Sequence, residues 1–111
     1  MAYDAALADR IRHLLAEDLD VSERKMFGGL AFLVGGHMAI AASGQGGVLA
    51  RVDPAEADRL VDGTTAEVAI MRNRPMQGWL RVAPEHLRTT RQLAKWVDLS
   101  TGYARSLPAK P

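Results

Sequence analysis

The chain has no cysteine among its 111 residues, which excludes a disulfide framework, a thiolate metal site and a cysteine nucleophile. No apolar run approaches the roughly 18 residues that a membrane-spanning helix needs. The opening Met1-Ala2-Tyr3-Asp4 lacks a basic segment followed by an apolar one, so no secretory signal is expected and the chain is read as cytoplasmic. Internal repeats and low-complexity blocks are absent. His13, His37 and His86 have no partner histidine at metal-ligand spacing, so neither a metal nor another cofactor is expected. Gly44-x-Gly46-Gly47 lacks the third glycine of a dinucleotide fingerprint and the Gly-Lys-Ser/Thr of a phosphate loop. An apolar strand pattern follows it, where a phosphate site needs the N–H groups of a helix start. Ser43 stands among glycines without the surroundings of a nucleophile elbow. Carboxylate pairs such as Asp18 with Asp20, or Asp58 with Asp62, fit solvated faces. No grouping supports catalysis, and the expectation is a protein that is not an enzyme.

What is present is a globular composition, 48% hydrophobic and 24% charged. The length fits one domain, residues 1–111, with a core over about 4–107 and a tail at 108–111. Such a chain buries roughly 65% of its unfolded surface, enough for its own core. Charge is uneven. Residues 1–70 hold 6 Lys and Arg against 11 Asp and Glu, and residues 71–111 hold 8 against 2, so a net charge of +1 conceals an acidic part and a basic one. The bland reading is that the two parts face each other or are solvated; the sharper one is an anionic partner.

Leu7, Ile11, Leu14 and Leu15 share one helical face, and Asp4 is placed to cap a helix over 4–18. His13 and Glu17 would then be an i, i+4 surface pair. The apolar runs Leu30–Val34 and His37–Ala41 flank Gly35-Gly36, the pattern of a β-hairpin with a tight turn. Gly28-Gly29 marks a bulge or sharp bend before it. Residues 43–47 form a second turn, followed by a strand at Val48–Val52. Asp53-Pro54-Ala55-Glu56 is a helix start, aspartate capping and proline at the first helical position; the helix runs to about Val61, and Asp62-Gly63 ends it. Alternation at 66–71 predicts a strand, 72–75 a polar loop, and 78–82 another strand. Pro84 opens a short helical turn. Thr89 with Gln92 matches a capping box, and Leu93, Trp96, Val97, Ala104 and Leu107 form a core stripe in the last helix, whose continuity Gly102 weakens. Helices and strands come in runs, which predicts an α+β fold with an antiparallel sheet flanked by helices, in the order α-β(3–4)-α-β(2)-α.

The basic third supplies candidate nucleic-acid ligands. Arg72, Arg74 and Arg81 come together if the last two strands pair, and Arg88, Arg91 and Lys95 are spaced for one helix face. Trp79 is placed to stack on a base if it points outward with Arg81, or else it is a sheet-face aromatic. The pI of about 8.2 lies below the guide value of about 9 for a nucleic-acid-binding domain.

Lys25-Met26-Phe27-Gly28-Gly29-Leu30-Ala31-Phe32, the turn with His37-Met38, and Met76-Gln77-Gly78-Trp79 together resemble the TfoX/Sxy N-terminal domain family. Leu93-x-x-Trp96-Val97 and Ala104-x-x-Leu107-Pro108 fit the same pattern, so the resemblance runs over roughly residues 5–108. It marks Met26, Phe27, Gly28, Gly29, Gly78 and Trp79 as the family's structural motif, with the glycines at a bend and Phe27 and Phe32 in the core. It implies a fold akin to secretion-chaperone-like domains. The longer relatives are regulators of natural competence, thought to act as coactivators beside a cyclic-AMP receptor protein, and usually carry a second, helical domain; the expectation here is a stand-alone N-terminal domain. The family supplies no catalytic residues. The resemblance therefore implies a regulatory module with a protein partner in the transcription machinery. Direct nucleic-acid binding through the basic third, and a small-molecule binder or unrecognised enzyme using a pocket between sheet and helices, are the alternatives. No membrane partner is expected, and a homodimer is compatible with the edges any small sheet exposes.

Overall fold

The computed structural model describes residues 3–26, 28–63, 66–71 and 73–108. The elements are α1 (Ala5–Leu14), β1 (Val21–Met26), β2 (Gly29–Val34), β3 (His37–Ala42), β4 (Val48–Arg51), α2 (Pro54–Gly63), β5 (Glu67–Met71), β6 (Arg74–Val82), a 3-10 turn at Pro84–His86, and α3 (Thr90–Ser106). All six strands pair antiparallel in the order β1-β2-β3-β4-β6-β5. The α+β expectation holds, with four strands before the second helix.

Each helix starts where a side chain satisfies its free N–H groups. The Asp4 carboxylate accepts from Ala6 and Leu7 at 3.0 and 3.2 Å. Asp53 accepts from Ala55 at 2.9 Å, with Pro54 next in line. Thr89 and Gln92 complete a reciprocal capping box. Such caps contribute about 1 kcal/mol apiece. α1 stops at Leu14 rather than continuing to 18, since Glu17 and Asp18 would add negative charge to the negative end of its dipole. Glu17 is thus off the helix, and the expected His13–Glu17 pair does not form.

β1 was hidden from pattern reading because Ser22, Glu23, Arg24 and Lys25 are all exposed and leave no alternation. Between β1 and β2 the bend falls where expected, with Gly28 at φ +73°. Phe27 lies outside the described residues. At Gly35-Gly36 both glycines have positive φ, 59° and 87°, closing the β2–β3 hairpin. Residues 43–47 form the β3–β4 turn, closed by Ser43 N–H donating to the Gly47 carbonyl at 3.0 Å. The polar loop expected at 72–75 is shorter: Arg74 and Pro75 already belong to β6, and the turn sits at Asn73 with φ 64°, a conformation asparagine tolerates better than most side chains.

The two faces of the sheet have different fates. Leu30, Phe32, Ile40, Val48, Leu80 and Val82 point toward the helices, where they meet Leu7 and Ile11 of α1, Leu60 of α2, and Leu93, Trp96 and Val97 of α3. Burying side chains of this size contributes about 1.5–3 kcal/mol each, so this layer holds the fold together. α3 runs unbroken through Gly102, which faces open space. Its buried Ser100 and Thr101 donate to the Trp96 and Val97 carbonyls at 2.7 and 2.8 Å, which lets two hydroxyls sit in the core without an unmet bond. The opposite face has a small apolar floor of Ala31, Leu33, Met38, Ala41, Leu49 and Ala69, flanked by Met26 and Trp79. Among the described residues, no apolar helix side chain belongs to this cluster.

Candidate functional site

The alternation of β4 and β6 determines which side chains share that second face. Leu49 pairs with Arg81 and Arg51 with Trp79, and Ala31 of the floor pairs with Arg24 of β1. Arg24, Arg81 and Trp79 therefore stand on the side of the sheet away from the helices, while Arg51, the last residue of β4, reaches the rim of the sheet where α3 ends. Arg81 donates to the Gln45 side chain in the β3–β4 turn.

Arg51 is held differently. Its guanidinium carbon lies 5.4 Å from the centroid of the Trp79 ring and 5.5 Å from that of Tyr103. Three elements converge here: β4 supplies the cation, β6 one ring, and the last turns of α3 the other. A guanidinium between two rings is attracted by both quadrupoles, each worth about 0.5–2 kcal/mol. Arg51 is half-buried and has no carboxylate or hydrogen-bond partner among the described residues. A guanidinium held by ring contacts rather than by hydrogen bonds keeps its in-plane N–H groups for two parallel bonds to an oxyanion.

The other cations have different roles. Arg12 of α1 donates to both Glu23 carboxylate oxygens, at 2.6 and 2.9 Å, and also pairs with Asp9. The hydrogen bonds from Arg12 hold Glu23 below the usual carboxylate range. Arg105, near the end of α3, contacts Asp20 at 3.1 Å and Asp18 at 3.3 Å, and its hydrogen bonds likewise lower Asp20. Part of the charge asymmetry is thus the acidic and basic parts facing each other.

The nucleic-acid candidates are divided by the fold. Trp79 and Arg81 stand on the helix-free face, with the Trp79 ring against Arg51. Arg74 is exposed at the start of β6. Arg72 lies outside the described residues. Arg88, Arg91 and Lys95 are exposed around the start of α3, on the helix side of the sheet. Arg10 braces that segment by donating to the Leu87 carbonyl at 2.8 Å, and Lys95 lies over the Trp96 ring at 5.5 Å. The two groups do not form one patch, because the sheet separates them.

Of the motif residues, Gly78 is buried at φ +84°, and a side chain there would meet the Val52 carbonyl and Pro54 at 3.0 and 3.1 Å. It lets the chain leaving β4 pass close to β6, next to the Arg51–Trp79 pair. Met26 flanks the apolar floor. Sequence reasoning did not single out Arg51 or Tyr103. The available signal was a charge closing the apolar run 48–50 of a central strand.

His13 lines a cavity of about 240 Å³ between α1 and α3, with Asp9, Arg10 and Leu93. His37 shares a hydrogen bond with the Pro108 carbonyl, and His86 lies 3.9 Å from Glu85. The three histidines serve separate places. Among the described residues no three metal-ligating side chains converge, and no helix is long and apolar enough to cross a membrane.

The family model of the TfoX N-terminal domain matches residues 13–104. No curated protein and no solved structure matches the chain.

Proposed function

The chain belongs to the TfoX N-terminal domain family, and from that premise we propose that it is a non-enzymatic, cytoplasmic regulatory module that docks on a protein of the transcription machinery. It does so through the sheet face away from the helices and the adjoining rim at the end of β4, where Arg51 receives a carboxylate of the partner. The observation that carries this reading is the contact of Arg51 with both the Trp79 and Tyr103 rings, together with the lack of a carboxylate on that guanidinium among the described residues. A long side chain already fixed by two rings loses little further freedom on binding. Arg24 and Arg81 on the adjoining face add attraction for an acidic surface.

The test immobilises the domain and titrates it with a purified cyclic-AMP receptor protein and, separately, RNA polymerase. Binding to one of them is expected, weakened at least about 30-fold by Arg51→Ala, since removing one member of a desolvated charge pair costs about 2–5 kcal/mol. Arg51→Lys keeps the charge but loses the planar fork, and is expected to recover only part of the affinity. If neither protein binds, or if Arg51→Ala binds as the parent does, this reading fails.

A second reading has its own observation, the exposed Arg88, Arg91 and Lys95 around the start of α3. If those residues contact phosphates, retention on duplex DNA falls steeply with salt and is lost when all three become glutamate. Absence of retention at low salt removes it.

A further inference from the structure

We propose that two copies of this chain pair edge to edge through β5, about a two-fold axis, into one continuous antiparallel sheet. The inference is independent of the Arg51 face and goes beyond the reading above.

The sheet has two edges, β1 and β5, and they are built differently. β1 carries Glu23, Arg24 and Lys25 in succession, all exposed, with Glu23 tied down by Arg12. Charges along an edge oppose addition of another strand. β5 reads Glu67-Val68-Ala69-Ile70-Met71, with one charge, at its first residue. Ile70 is 66% exposed, and the other large apolar side chain so exposed among the described residues is Leu19, in the loop before β1. One edge is protected and the other is bare and apolar.

The sequence of β5 and the charges around it select a second copy as the occupant. With Ala69 on the two-fold axis, Val68 stands opposite Ile70 of the second copy and Glu67 opposite its Met71. Branched side chains then meet branched side chains, which stabilises cross-strand pairs, and no glutamate faces another. The same register aligns charges that make no ion pair among the described residues of their own chain: Arg81 stands opposite Glu67 on β6 but donates to Gln45 instead. Arg74 lies beside Met71 in the β5–β6 hairpin, so Arg74 of the second copy stands two strand spacings from Glu67, about 10 Å, within reach of two long side chains. Neither Glu67 nor Arg74 has an ion-pair partner among the described residues. Glu67 also rims a cavity of about 470 Å³ with Arg81, Glu85 and His86, so the Glu67 end of each β5 meets the Arg74 hairpin tip of the other copy, twice by symmetry. A five-residue strand pair is a small interface, below about 1,200 Å², and interfaces of that size are weak and transient.

Sedimentation velocity of the full chain over about 5–500 µM tests this. A monomer–dimer equilibrium is expected, shifted to monomer by Ile70→Lys, which alters an exposed side chain and leaves the circular dichroism spectrum and melting unchanged. Arg74→Glu and Glu67→Arg are each expected to weaken dimerisation at least about 5-fold, and the double variant, which swaps the charges, to restore it. A chain that stays monomeric across the range overturns the proposal. So does a dimer indifferent to Ile70→Lys, or one that the charge swap does not rescue, including the case in which β5 pairs with a strand of a different protein.

Discussion

Gly28 and Gly29 are adjacent, yet the structure requires them for different reasons, and substitution separates the two. Gly28 has φ +73°, and an added Cβ would meet nothing within 4 Å. Alanine there bears only the left-handed backbone, about 1–2 kcal/mol, partly offset by a less flexible unfolded chain. The expected net loss is about 1 kcal/mol, and asparagine should lose less. Gly29 is a steric requirement: its Cβ would lie 2.0 Å from the Ala42 carbonyl oxygen and 3.2 Å from the Gly44 nitrogen. Those are backbone atoms of β3 and its following turn, and Ala42 is paired on both sides, to Leu30 and to Val48. Relief requires the strands to move apart by about 1 Å where they are locked, so Gly29→Ala should cost at least about 3 kcal/mol, the upper part of the usual overpacking range. With a urea slope of about 1.5 kcal/mol/M for a domain of this size, the unfolding midpoint falls by about 2 M for Gly29→Ala and by less than about 1 M for Gly28→Ala. Urea titration followed by circular dichroism measures both. Equal losses, or a larger one at Gly28, would refute the steric argument.

Two further perturbations follow from the ion pairs and the buried hydroxyl. Asp20 and Glu23 have lowered pKa values in the folded chain through hydrogen bonds from Arg105 and Arg12. Their stabilising contribution is present above the ordinary carboxylate range and is lost as pH falls through that range toward their lowered values. Urea midpoints between pH 7 and pH 3 should decline less in Asp20→Asn with Glu23→Gln than in the parent, and a decline of the same size would show that these pairs do not couple to folding. Ser100 is fully buried and donates only to the Trp96 carbonyl and, at 3.3 Å, to that of Val97. Ser100→Ala should change stability by less than about 1 kcal/mol, because the carbonyls lose an extra donor without losing the helix, whereas Ser100→Leu should cost about 1–3 kcal/mol by overpacking. Thermal melts that reverse this order would place space, not overcrowding, around α3.

The amino-acid sequence alone determined the features that a few neighbouring residues specify. Asp4, Asp53-Pro54 and Thr89 with Gln92 set the three helix starts, and Gly35-Gly36 set the central hairpin, since caps and tight turns are satisfied within a single turn of chain. The α+β class followed from their order, and the family was legible from Met26 to Phe32 and from Met76 to Trp79. Tertiary structure decided what depends on partners distant in sequence. β1 became a strand only because β2 offered it backbone groups to pair with, despite a run of exposed charges. The pairing of β4 with β6 put Trp79 opposite Arg51, brought Tyr103 from α3 to the same guanidinium, and placed the sheet between the two basic groups that looked continuous along the chain. That pairing also left β5 outermost. Cross-strand register and the choice of edge are set by burial of a whole face against the helices, a cooperative quantity that no local stretch of residues encodes.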